Sequence, residues 1–170
     1  VGLERAPRLG VDVGTVRVGV AVSDPDGILA TPVETVPRGE AEDGGVARVV
    51  EIVREHGAGV VYVGLPRALS GSDGSSSQAA RTYGVHLARA AAPVPVRLVD
   101  ERMSTVVAHR AMHASGRPGR RHRAVVDQVA AVVILQSALD AERARGERAG
   151  EPVMIEPVVT EQDEAGVDES

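Results

Sequence analysis

Three carboxylates stand where their surroundings call for apolar side chains. Asp12 lies inside a strand-like run, between Val11 and Val13. Glu101, with its neighbour Asp100, closes the apolar run Val94–Val99 at the point where a chain leaves a sheet edge. Asp127 sits one turn into a helical pattern, with Ala130 and Ala131 at i+3 and i+4, which directs it at least partly toward a small inward stripe. A carboxylate so placed must be paired, hydrogen-bonded or bound to a cation, because an unpaired buried charge costs roughly several kcal/mol. Each acid also has an ordinary structural explanation. Asp12 could bond to amides of the Gly14-Thr15 turn, Glu101 could pair with Arg102 or Arg110, and Asp127 with Arg123 at i−4 and with its helix N-terminus. Three acids on separate buried elements that can converge are a narrower coincidence than any one of them. Oxygen ligands without cysteine, and without fixed histidine spacing, suit Mg²⁺ or Mn²⁺ rather than zinc. A two-metal carboxylate site performs in-line phosphodiester cleavage, one ion activating the water and the other steadying the leaving oxygen.

Composition narrows the alternatives. The 170 residues allow one domain with a substantial core. Cysteine is absent, which excludes disulfides, thiol nucleophiles and zinc–thiolate sites. All 19 basic residues are arginine, so Schiff-base lysine chemistry and Walker-type phosphate loops are excluded as well. With two Tyr and neither Phe nor Trp, no sheet can stack splayed bases on aromatic rings. No apolar run approaches the roughly 18–20 residues that span a membrane. Residues Val1–Arg8 lack the apolar core of a signal peptide, so the expected location is the cytoplasm.

The net charge of −5 is unevenly distributed. Residues 1–140 carry 16 Arg against 15 acids, whereas residues 141–170 carry 3 Arg against 9 acids. Between residues 102 and 126 there are six Arg, three His and no acid, a stretch able to touch a phosphate backbone. Its arginines 102, 120, 121 and 123 are candidate substrate contacts; a merely solvated face is the alternative.

The elements that must position these groups follow from periodicity. Alternation predicts strands over Arg8–Val13 and Val16–Val22, joined by a Gly14-Thr15 hairpin, and a third over Ile28–Val36. Val46, Val49, Val50 and Val53 mark a helix ending near His56-Gly57. A buried strand over Val60–Val63, a loop over Leu65–Ser77, a helix from about Gln78 to Ala91 with Ala80, Tyr83, Gly84 and Leu87 inward, and a strand over Val94–Val99 follow. Thr105–Ala114 reads as helical and Ser115–Arg123 as a basic loop. Ala124–Ala144 reads as the last helix, with Val126, Val129, Ala130, Val133, Ile134 and Leu139 inward. The expected organisation is a short extension (1–7), an α/β domain (8–144) and an acidic, disordered tail (145–170). A three-stranded antiparallel meander followed by β–α–β alternation makes a mixed five-stranded sheet with helices on both faces.

Four blocks carry a resemblance. Leu9-Gly10-Val11-Asp12-Val13-Gly14-Thr15-Val16-Arg17-Val18-Gly19-Val20-Ala21 resembles the opening motif of the YqgF/RuvX family of RNase H-like nucleases. Val63-Gly64-Leu65-Pro66 is similar to its central strand and loop, and Asp100-Glu101-Arg102-Met103-Ser104-Thr105 to its D-E-R-L-[ST]-T block. The run from Val126 to Gln136 matches its last helix. The resemblance covers residues 8–140 in the family's order. It implies an RNase H-like fold, Asp12, Glu101 and Asp127 as catalytic metal-binding carboxylates, and action on nucleic acid. The implied substrate is precursor 16S ribosomal RNA or a ribosomal particle, matured at its 5′ end, with a four-way DNA junction as the alternative. It makes Arg17 and Arg102 candidate phosphate or carboxylate partners, and the Leu65–Ser77 loop a candidate cover for substrate. Val16 and Met103 depart from the family pattern, and Arg121 or Arg123 stands where the family has a lysine. A junction enzyme would favour a homodimer, whereas trimming one RNA end needs only a monomer.

Two rival readings are separable. Asp12-x-Gly14-Thr15 also resembles the phosphate loop of actin-type and sugar-kinase ATPases, but those close two such domains around a nucleotide. A nuclease-like domain that only binds RNA or protein is the other, and the presence of all three acids counts against it.

Overall fold

The computed structural model describes residues 2–39, 43–66, 74–101 and 120–156, with side chains of the last segment from residue 125 onward. Strands β1 (Arg8–Val13), β2 (Arg17–Ser23) and β3 (Ala30–Pro37) form the expected antiparallel meander. Helix α1 (Val46–His56), strand β4 (Val60–Leu65), helix α2 (Ser75–Ala91) and strand β5 (Val96–Asp100) follow. Helix α3 (Arg120–Arg145) and a short strand β6 (Glu151–Pro152) complete the described elements. The sheet order is β3-β2-β1-β4-β5-β6; β4 runs parallel to both β1 and β5, and β6 antiparallel to β5.

Alternation along each strand separates two cores. Leu9, Val11, Val18, Val20, Val61, Val63 and Leu98 pack with α1 and α2 on one face. Ala21, Val60, Tyr62 and Val99 pack with Ala131, Leu135, Ala138 and Leu139 of α3 on the other. Every strand of the parallel core is thus buried on both sides, each fully buried Val or Leu contributing roughly 1.5–3 kcal/mol. Helices on both faces are as expected.

Three features differ from the sequence reading. The sheet has six strands rather than five, because residues read as the start of the tail pair with the free edge of β5. Val153 N–H donates to the Val96 carbonyl at 2.9 Å, and Arg97 Nε donates to the Ala149 carbonyl at 2.6 Å. A two-residue strand ending in proline has no periodicity to detect, and residues 157–170 lie outside the described residues. Helix α3 begins at Arg120, so Arg120, Arg121 and Arg123 lie in its first turns rather than in a loop; arginine is a good helix former, and the last breaker is Gly119. The inward stripe of α3 is Ala131, Ile134, Leu135, Ala138 and Leu139, while Val129 is 36% exposed and Val126, Ala130 and Val133 are only partly buried. The reason is close approach: a Cβ on Gly10 of β1 would stand 2.6 Å from the Leu135 Cβ, and one on Gly19 of β2 would overlap the Asp127 carbonyl. The helix lies on sheet glycines, and only its small-residue stripe fits there.

At the far end of α3 from Asp127, Arg8 and Glu142 form a buried pair at 3.0 Å, with side chains 5% and 2% exposed. Glu142 also accepts from the Tyr62 hydroxyl and, at 3.0 Å, from Arg148. Among the described residues no helix is long and apolar enough to cross a membrane. The expected helix over Thr105–Ala114, most of the Leu65–Ser77 loop, and Arg102 lie outside the described residues.

Candidate functional site

Strand parity decides which acids can meet. Gly10 faces Leu135 of α3, so Asp12, two residues on, shares that face. Val99 packs with the α3 core, and Glu101, two residues later, continues on the same side as β5 ends. Glu101 N–H donates to the Leu65 carbonyl at 3.1 Å, which carries the β4–β5 pairing one residue beyond Asp100. Because β1, β4 and β5 are parallel, Asp12 and Glu101 stand at the same edge of the sheet. Asp100 alternates away from Glu101, toward the α1–α2 face.

Between those two acids lies β4. Strands two apart in a sheet are separated by about 10 Å, too far for two short carboxylates if a side chain intervenes. The intervening residue is Gly64. A Cβ there would collide with Glu101 Oε1 and stand 2.5 Å from Cδ1 of Ile134. The missing side chain is the gap through which Glu101 reaches Asp12, and the Glu101 carboxyl donates a hydrogen bond to the Asp12 carboxylate.

Burial raises both acids above the ordinary carboxylate range. Asp12 is pushed up to about 6 by desolvation first and by the nearby Asp127 charge second, against which the Glu101 hydrogen bond works. Glu101 is pushed up to about 7, by desolvation, then by the Asp12 charge and its hydrogen bond, and then by Asp100. The two carboxyls share a proton in the absence of a cation.

Asp127 approaches the pair from α3, above Gly19, and its Oδ2 accepts from Arg17 Nε at 2.8 Å. The side chains of Arg17 and Asp127 are 30% and 23% exposed, so the ion pair is partly desolvated. Among the described residues no group of three acids or histidines converges closely enough to hold one cation as it stands. Asp12 and Glu101 nevertheless fit one: they are hard oxygen donors, mostly buried, and short of positive charge by the amount their shared proton supplies.

The alternative bond from the Gly14 amide to Asp12 is not formed, since the Gly14 N–H goes to the Arg17 carbonyl at 2.9 Å. Asp127 pairs across the domain with Arg17; the side chain of Arg123 lies outside the described residues, as do those of Arg120 and Arg121. Gly64 was not singled out by chemistry, although a glycine inside an apolar strand is a signal of close approach.

The family model described as "RuvX: Holliday junction resolvase" matches residues 6–141. The chain belongs to the RuvX family. A relative from Streptomyces avermitilis, described as "Putative pre-16S rRNA nuclease", is 50% identical over 155 residues, covering 91% of this chain and 99% of its own. Another from a Nocardioides species, with the same description, is 53% identical over 148 residues, covering 86% of this chain and 95% of its own. Among solved structures, Thermus thermophilus RuvC in complex with a Holliday junction substrate is similar with a TM-score of 0.56 at 18% identity, covering 86% of this chain and 99% of that one. At that identity the likeness concerns the fold, which is RNase H-like.

Proposed function

We propose that this chain is a nuclease that processes the 5′ end of precursor 16S ribosomal RNA, hydrolysing a phosphodiester bond with Mg²⁺ or Mn²⁺ at Asp12, Glu101 and Asp127. The descriptions of relatives at about half identity over nearly their whole length support the substrate. The observation that carries the chemistry is the hydrogen-bonded Asp12–Glu101 pair, with Asp127 close enough to raise the Asp12 pKa. Such a cluster serves no packing purpose and is costly without a cation.

A divalent cation bound there supplies the Lewis acidity that activates water and stabilises the leaving oxygen. The chain's own residues do the rest. Asp12 and Glu101 give up their shared proton and present oxygens from two strands held rigidly by the sheet. Arg17 occupies Asp127 until a phosphate arrives; the guanidinium fork suits phosphate as well as carboxylate, so an incoming backbone competes for Arg17 and frees Asp127. Arg102, Arg120, Arg121 and Arg123 supply positive charge along the approaching strand, and binding weakens steeply with salt.

The description of the matching family model favours one second reading, resolution of a four-way DNA junction. A side-by-side cleavage assay at fixed salt decides, using 5′-extended 16S precursor RNA and a mobile four-way junction with Mg²⁺ or Mn²⁺, and Asp127→Asn as control. Cleavage of the RNA alone is the expected outcome. Cleavage of the junction alone transfers the protein to recombination, and cutting that survives in the control removes Asp127 from the site.

A further inference from the structure

At the same end of the sheet as Asp12, but on the α1–α2 face, a cavity of about 470 Å³ is lined by Arg38, Asp43, Gly44, Ser75, Gln78, Thr82, Tyr83 and His86, among others. Its polar lining includes one obligate donor, Arg38, and groups that can donate, Ser75, Gln78, Thr82 and Tyr83. Arg38 lies over the Tyr83 ring, 5.3 Å from its centroid, and its guanidinium donates to the Gly14 carbonyl at 2.9 Å. No carboxylate among the described residues pairs with Arg38. The one acid of the lining, Asp43, accepts from the backbone N–H groups of Gly45 and Ala47 at the start of α1, and its charge still reaches the Tyr83 hydroxyl. Tyr83 is 3% exposed, yet its hydroxyl has no hydrogen-bond partner, the one such buried side-chain atom among the described residues. Burial keeps that hydroxyl protonated well past neutrality, so it remains a donor. The cavity also adjoins the first turn of α2, which has no side-chain cap and no acid.

A guanidinium with no carboxylate partner among the described residues, a buried hydroxyl without a hydrogen-bond partner among them, and the side chains of Ser75, Gln78 and Thr82 around one cavity make a place for an oxyanion. The position identifies which one. Arg38 holds the Gly14–Val16 turn, its own N–H donating to the Val16 carbonyl at 2.9 Å, and that turn joins Asp12 to Arg17. A strand whose scissile phosphate lies between Arg17 and the Asp12–Glu101 pair would carry a neighbouring phosphate around this sheet edge. We propose that the Arg38–Tyr83 cavity binds a backbone phosphate of the substrate RNA beside the bond that is cut. The inference rests on the nuclease reading above. It gives a role to an Arg38 without a carboxylate, and to a buried Tyr83 hydroxyl without an acceptor, among the described residues.

The test uses the full chain and two variants, Gln78→Glu and Arg38→Gln. Gln78 is exposed near the α2 N-terminus, where a glutamate favours the helix, so a fold defect is not expected from that change. Fluorescence anisotropy with single-stranded precursor RNA, with melting curves as a folding control, should give about five- to ten-fold weaker binding for each variant. The salt slope should fall by about 0.7 for Arg38→Gln, as expected for one lost single-strand phosphate contact. RNA shortened on one side of the cut should bind wild type and variants alike. Backbone NMR shifts at Gln78, Thr82 and His86 should respond to the long RNA and only weakly to inorganic phosphate. Equal RNA affinity of wild type and Gln78→Glu overturns the inference, as does a response to inorganic phosphate with none to RNA. Whether wild type cleaves the RNA is read separately, so loss of binding in the variants without wild-type cleavage would sink the nuclease reading and leave this site standing.

Discussion

Arg17 Nε and Asp127 Oδ2 stand 2.8 Å apart, joining the start of β2 to the second turn of α3 across residues 110 positions apart in the chain. The ion pair withholds Asp127 from the Asp12–Glu101 pair, although its charge is already felt by Asp12. Replacing Arg17 with Gln therefore removes a competing cation. We expect Mn²⁺ to bind several-fold more tightly by calorimetric titration, while RNA cleavage falls because the phosphate contact is lost. Unchanged Mn²⁺ affinity would show that Arg17 does not regulate access to Asp127.

Asp12→Asn should abolish cleavage and leave the fold intact. It should also raise the melting temperature of the cation-free protein at about pH 8, because one of two adjoining charges is gone. An active Asp12→Asn protein would remove Asp12 from the site.

The same pair sets a pH dependence. In the folded protein Asp12 titrates at about 6 rather than 3.8, and Glu101 at about 7 rather than 4.5. Both are raised, so the folded state holds protons that the unfolded chain has released. The stabilisation is complete below about pH 4 and is lost as pH rises through 6 and 7. Asp24, Glu34 and Asp43, lowered by hydrogen bonds, act in the opposite sense at more acidic pH. Melting curves in chelator should show wild type losing stability between about pH 4 and 7 relative to Asp12→Asn, by an amount on the order of 1–3 kcal/mol. Millimolar Mg²⁺ or Mn²⁺ should remove the difference. Parallel curves for the two proteins would contradict the shared-proton arrangement.

Gly64→Ala tests the gap between the strands. The added methyl meets Glu101 and Ile134, so Glu101 must turn away from Asp12. We expect a destabilisation of about 1–3 kcal/mol together with loss of cleavage, and Mn²⁺ should no longer raise the melting temperature. A variant that melts lower yet cleaves normally would show that the Glu101 position is not critical.

The buried Arg8–Glu142 pair gives a prediction remote from the site. Arg8→Met leaves Glu142 with Arg148 and Tyr62 but without the more deeply buried of its two countercharges, and should cost about 3–5 kcal/mol by denaturant unfolding. Adding Glu142→Gln should recover part of that loss, since a buried amide needs no counterion. If the double variant is less stable than Arg8→Met, the pair is not the source of the effect.

Periodicity and residue type determined much of this protein. The meander, α1, the inward face of α2 and the central strands follow from alternation and from i, i+3, i+4 spacing, because local burial imposes those periods on any chain. Asp12, Glu101 and Asp127 were visible as acids in apolar settings for the same reason. Other features depend on which strands lie side by side. Glu101 reaches Asp12 only because β4 lies between them and carries Gly64 at the crossing point. Asp127 meets Arg17, 110 positions away in the chain, because Gly19 lets α3 descend onto β2. The inward stripe of α3 coincides with the one its period predicts at Ile134 and Leu139 only, for the same reason: several of its apolar positions are equivalent by period, and the sheet glycines choose among them. The sixth strand exists because β5 offers a free edge to residues with no pattern of their own. Local sequence specifies what each segment can bury, and only the lateral pairing of distant strands decides which charged groups are brought within reach of one another.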